Sequence, residues 1–134
     1  MNIKVIDNFI SLQEQNELKD LMVGRERIFP WFFIQDVTNA GDQNRPAVQH
    51  EFYNYIKGVN SDYLENILPV VKKFNRPDLL VLRANSFLQF PNPMYKEYDT
   101  PHIDMPKYDK PYTIVLYYVC DSEGETIFFN SKNK

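Results

Sequence analysis

Residues 101–106, PHIDMP, followed at 112–130 by YTIVLYYVCDSEGETIFFN, decide how this chain is read. Residues 112–121 are dense in β-branched and aromatic side chains and carry the strongest strand signal in the sequence. DSEG at 121–124 reads as a turn, and ETIFFN at 125–130 as the returning strand of a hairpin. Just upstream stand His102 and Asp104. In an extended strand, residues i and i+2 share a face. An imidazole and a carboxylate are therefore expected side by side, with Ile103 turned the other way into the core. Such a pair is half of a cis metal site. One more imidazole would complete the 2-His-1-carboxylate triad, which holds Fe(II) on one face and leaves the other open. The same letters also fit an ordinary surface His–Asp pair, because short motifs recur by chance.

Working outward, LLVLRANSFLQF at 79–90 predicts a strand, and 91–101 a proline-rich loop. At the other end, IKVIDNF at 3–9 reads as a short strand. Ser11 then has the look of a helix N-cap, with Glu14 three residues on as in a capping box. Leu12, Leu18, Leu21 and Met22 give an incomplete helical stripe, and Gly24 is a C-terminal stop. FPWFFIQD at 29–36 is aromatic and extended, and 38–46 is a polar loop. Phe52, Tyr55, Ile56 and Val59 recur at helical spacing, so a helix is expected there, with His50 at its start or on the surface. Leu64, Ile67, Leu68 and Val71 repeat the pattern, and Pro69 is expected to kink or split that helix. The reading is one α+β domain, residues 1–134: a helical part over 1–74 and a β part over 75–130.

The bulk numbers agree with a packed domain. The chain has 134 residues, 43% of them hydrophobic and 15% aromatic, which is enough to build a core. A net charge of −3 without a basic stripe gives no electrostatic footprint for nucleic acid. With the single cysteine Cys120 no internal disulfide forms, which fits a reducing compartment. The first residues lack a signal-peptide pattern, and no apolar run approaches the roughly 20 residues of a membrane span. The expectation is a cytoplasmic protein that does not enter the membrane.

The pieces VIDNFISLQEQNELKDLM, VLRANSFLQF, PHIDMP and YTIVLYYVCDSEGETIFF, taken in that order, resemble the prolyl-4-hydroxylase-like branch of the 2-oxoglutarate/Fe(II)-dependent oxygenases. The resemblance runs over residues 3–129 and is sharpest over 102–129. It implies a double-stranded β-helix, or jelly roll, with helices packed on it. It implies His102 and Asp104 as ligands of Fe(II), 2-oxoglutarate as cosubstrate, and hydroxylation of a small-molecule or peptide substrate, and it admits ascorbate. Tyr118 matches the position that hydrogen-bonds the distal carboxylate of 2-oxoglutarate. Strand alternation supports this, since Ile114, Leu116 and Tyr118 share a face. An ordinary core tyrosine fits as well. Asn85 on the neighbouring strand is a second cosubstrate contact or a structural polar group. Arg83 is a carboxylate clamp or a surface ion pair.

The sequence departs from the family pattern in two places. Glu125 stands where a second glycine is usual in the hairpin. The family's third ligand, a histidine well beyond the hairpin, and the basic residue after it have no counterpart up to Lys134. The expectation is therefore the first half of a jelly roll, inactive alone: a fragment, a split or frameshifted gene product, or one half whose missing strands a partner chain supplies. A non-enzymatic half-domain acting by strand pairing is the alternative. A different metal enzyme using His102 and Asp104 in another geometry is a third reading.

Overall fold

The computed structural model describes residues 2–37, 45–74, 76–91, 101–105 and 107–129. The architecture is α+β: two helices and a four-stranded antiparallel open sheet. Helix α1 spans Leu12–Val23 and begins as the sequence dictates. The Ser11 backbone N–H donates to Glu14 Oε2 at 2.8 Å, and the Glu14 N–H donates to Ser11 Oγ at 3.3 Å. Two of the helix's orphan donors are thereby satisfied reciprocally. At the other end the Gly24 N–H donates to Asp20 O at 2.9 Å. A Cβ at Gly24 would overlap the Asp20 carbonyl, so only glycine fits this close approach. The helix buries Leu18 and Met22.

Strands β1 (Phe32–Ile34), β2 (Ala47–Asn54), β3 (Gly58–Val59) and β4 (Arg83–Gln89) make the sheet. β2 is central. β4 runs along its whole length on one side, from Ala47↔Gln89 to Asn54↔Arg83. On the other side β1 pairs with its first half (Phe32↔Gln49) and β3 with its last two residues (Tyr53↔Val59). A bulge lies between Glu51 and Tyr53. Its extra residue, Phe52, is 1% exposed and is the largest fully buried side chain described.

The helix expected from Phe52, Tyr55, Ile56 and Val59 is therefore not formed; those residues belong to a β2–turn–β3 hairpin. Their spacing imitates a helix because the turn at 55–57 interrupts the alternation. The turn has its own chemistry. The Ile56 N–H donates to Asn54 Oδ1 at 3.0 Å, the Lys57 N–H to Asn54 O at 3.1 Å, and Gly58 takes φ +84°.

Helix α2 spans Leu64–Phe74 and passes through Pro69, so of the two outcomes expected there the split does not occur. Pro69 cannot donate to the carbonyl four residues back. The helix persists because Leu64, Ile67 and Val70, at i, i+3 and i+6, anchor one face on the core. Lys72 and Lys73 complement the dipole in its last turn. That core consists of Ile10, Leu18, Met22, Phe29 and Phe52, with Phe9, Trp31, Tyr63, Ala84, Tyr117 and Val119 packed around it. Trp31 Nε1–H donates to Met22 O at 3.1 Å, fixing β1's approach to α1.

Further expectations need correction. Residues 3–9 form no strand, and neither 112–121 nor 125–129 joins a strand ladder. In place of the β unit expected over 75–130, the described residues of that range form one strand, β4, paired with β2 from the part read as helical. β-branched and aromatic content reports a half-buried surface, which 112–121 supplies through Tyr117 and Val119 without a partner strand. The loop readings at 38–44 and 92–100 and the polar end at 131–134 lie outside the described residues. Among the described residues, no helix is long and apolar enough to cross a membrane.

Candidate functional site

His102 Nε2 lies 3.4 Å from Asp104 Oδ1, with the two side chains 43% and 35% exposed. The structure thus brings the pair together at the surface. Its local geometry differs from the strand reading: residues 101–105 join no ladder, and Asp104 sits at a bend. Ile103, expected in the core, is 65% exposed, because with no sheet around this segment there is no second face to bury. The segment is tied to a tyrosine cluster through one backbone hydrogen bond. Tyr108, whose N–H donates to Met105 O at 3.1 Å, meets Tyr112 edge-on at 6.1 Å and Tyr55 of the β2–β3 turn at 6.4 Å.

The donor set is one imidazole nitrogen and one carboxylate oxygen, the ligand types that suit a first-row divalent metal. Their 3.4 Å separation falls within the ~4.2 Å that two ~2.1 Å metal–ligand bonds can span. A third ligand is another matter. Among the described residues no cluster of three or more His, Cys, Asp or Glu side chains is arranged to hold a metal.

The remaining sequence candidates are spread over the sheet and the C-terminal segments. Tyr118 is exposed, and its hydroxyl is hydrogen-bonded to Thr126 Oγ1, which joins the two segments read as a hairpin. The adjacent Tyr117 points the other way, onto the core; burial, and after it the Glu14 carboxylate, push its phenol above the usual range. Asn85 stands on β4 opposite Glu51, and its Oδ1 is buried with no hydrogen-bond partner among the described residues. An orphaned acceptor of this kind costs about 1–3 kcal/mol, so the position favours a ligand or water that donates to it. Arg83 is exposed at the first position of β4, opposite Asn54.

His50 is the residue sequence reasoning misplaced. It is 4% exposed in the middle of β2, not at a helix start or on the surface. Its Nδ1 lies 2.8 Å from Pro30 O and its Nε2 2.6 Å from Ser61 Oγ. The ring packs against Phe29 at 4.6 Å and Phe52 at 4.8 Å. With both nitrogens engaged it has none to spare as a third ligand for His102 and Asp104. The signal was present in the alternation Val48, His50, Phe52, which reads as a strand once an imidazole is allowed an inward position.

Compared with protein-family models, curated proteins and solved structures, the chain finds no match.

Proposed function

We propose that this chain carries two of the three iron ligands, His102 and Asp104, of an Fe(II)/2-oxoglutarate-dependent dioxygenase of the prolyl-4-hydroxylase-like type. The observation that carries the reading is the 3.4 Å approach of the His102 and Asp104 donors on a partly exposed segment. Iron with 2-oxoglutarate supplies the oxidising chemistry of such a hydroxylase; the protein supplies binding and orientation. In this reading Tyr118 and Asn85 are the cosubstrate contacts. The orphaned Asn85 Oδ1 takes a donor such as water, and a 2-oxoglutarate oxygen would meet the amide Nδ2–H instead. The finer architecture, one half of a jelly roll on the N-terminal helices, belongs to the same proposal.

The test is an anaerobic Fe(II) titration of the full chain, with and without 2-oxoglutarate, beside His102→Ala and Asp104→Ala. The expected result is binding that 2-oxoglutarate strengthens and that each variant weakens at least ~10-fold, the scale on which even outer-shell partners act. Equal binding by wild type and either variant would sink the proposal.

One observation favours a second reading, a half-domain completed by a partner's strand. The outer edge of β4 has no strand beside it among the described residues, and Phe87, Leu88 and Phe90 there are exposed. Light scattering tests it: association that grows with concentration and is lost in Leu88→Lys supports strand pairing, and a monomer at every concentration removes it.

A further inference from the structure

We propose that Ser61 and His50 form a second, metal-independent site: a serine nucleophile activated by an imidazole base, which accepts the acyl group of a carboxylic ester. It goes beyond the oxygenase reading and uses neither His102 nor Asp104. Three observations carry it.

The first is the hydrogen-bond chain. A carbonyl oxygen only accepts, so the 2.8 Å contact to Pro30 O puts a proton on His50 Nδ1. In the neutral ring Nε2 then accepts, and Ser61 Oγ–H donates to it at 2.6 Å. This is the order of roles a nucleophile, its base and the base's orienting group require, with a main-chain carbonyl as the orienting group. The second observation is rigidity. Ser61 Oγ accepts the Tyr63 N–H at 3.0 Å, and the imidazole is clasped between Phe29 and Phe52, so neither partner is free to rotate away. The third is access. His50 is buried, whereas Ser61 is half-buried, and both line an open cleft of about 730 Å³ with Phe32, Lys57, Asn60 and Tyr63.

The cleft indicates the ester class. Phe32 and Tyr63 offer apolar rings to an aromatic or short aliphatic acyl group. Lys57 and Asn60 line the same cleft, where both donate to Glu51 Oε1, at 3.5 and 2.9 Å; turned from that carboxylate, their N–H groups would donate to the ester carbonyl oxygen. In the step, Ser61 Oγ bonds to the carbonyl carbon while its proton passes to His50 Nε2. Collapse breaks the ester C–O bond, and the alcohol leaves with that proton. Water then repeats the sequence in the place of Ser61, giving the carboxylic acid and the free serine.

The same contacts would also serve as a latch tying β2 to the turn before α2, and reactivity separates the two roles. The full chain is incubated with a fluorophosphonate, which loses fluoride as it bonds to an activated serine, and is analysed by intact mass and peptide mapping. One adduct on Ser61 is expected, absent in Ser61→Ala and formed at least ~100-fold more slowly in His50→Gln, the lower bound for a positioned general base. Circular dichroism checks that His50→Gln is folded. Should it not fold, Ser61→Cys decides within the intact His50 background: the introduced thiol is expected to react with iodoacetamide faster than Cys120 of the same chain. Absence of an adduct, an adduct that survives Ser61→Ala, equal labelling of folded His50→Gln, or a thiol slower than Cys120 would each overturn the proposal.

Discussion

Replacing Phe52 by alanine separates the strand from the helix that the same residues imitate. Phe52 is 1% exposed at the bulge of β2 and touches the ring systems of Phe29 and His50 at 5.9 and 4.8 Å. A buried Phe→Ala change removes transfer free energy and leaves a cavity, together about 3–5 kcal/mol. A domain of this length has about 7–20 kcal/mol in total, at 0.05–0.15 kcal/mol per residue over 134 residues. The loss is therefore a large share of what holds the protein folded. Ile56 is 77% exposed in the turn and Val59 66% exposed on β3, so alanine at either site should cost no more than about 0.5 kcal/mol. On an amphipathic helix the three residues would line one buried stripe and alanine would cost comparable amounts at each. Urea unfolding followed by circular dichroism reads the difference directly: the midpoint should fall by more than 1 M in Phe52→Ala, given slopes of ~1–3 kcal/mol per M, and barely move in the other two. Similar losses at all three positions would refute the sheet topology.

Gly24→Ala is expected to destabilise by about 1–3 kcal/mol, since its Cβ meets the fixed Asp20 carbonyl; a thermal melt that does not move would contradict the close approach. Ser11→Ala should cost about 1 kcal/mol at neutral pH through loss of the cap. The Ser11 side-chain and backbone hydrogen bonds hold the Glu14 carboxyl below its ordinary 4.5, so its contribution is present above that value and is lost as the pH falls through the lowered folded value. The gap between Ser11→Ala and wild type should therefore narrow in acid melts, and a gap independent of pH would rule the capping box out. His102→Ala and Asp104→Ala should leave the unfolding free energy within about 0.5 kcal/mol of wild type, because both side chains are partly exposed; a large loss would make the pair a structural one.

Local chemistry was legible wherever it was self-contained. The capping box at Ser11 and Glu14 and the stop at Gly24 depend on neighbours within a few residues and formed as read, whereas the face α2 turns to the core is Leu64, Ile67 and Val70 rather than the stripe read through Leu68 and Val71. β2 escaped because its inward positions include a histidine and its pairing partner, β4, begins nearly thirty residues further along. Hydropathy scores His50 as polar and outward; only Pro30 O and Ser61 Oγ, brought from two other segments, make its burial affordable. Conversely, residues 112–121 have every local mark of a strand and no ladder partner, since propensity says nothing of what lies alongside.

The same division applies to the sites. His102 and Asp104 could be paired from the sequence because i, i+2 spacing keeps two short side chains within reach of one another over most extended geometries, with or without a sheet. Ile103 could not be placed that way, since burial depends on what covers the segment rather than on the segment itself. His50 and Ser61 lie eleven positions apart across a β-turn and a short connection, a spacing that matches no motif. Their meeting follows from the bulge at Phe52 and the tight turn at Asn54–Gly58, which return the chain to β2 just before α2 begins. Lengthening the connection to α2 by one residue after Asn60 should therefore part Ser61 from His50 while leaving Tyr55 and the 101–105 segment as they are. Fluorophosphonate labelling would then be lost and metal binding by His102 and Asp104 retained. If both were lost together, the two sites would not be independent and the separate assignment of Ser61 would fail.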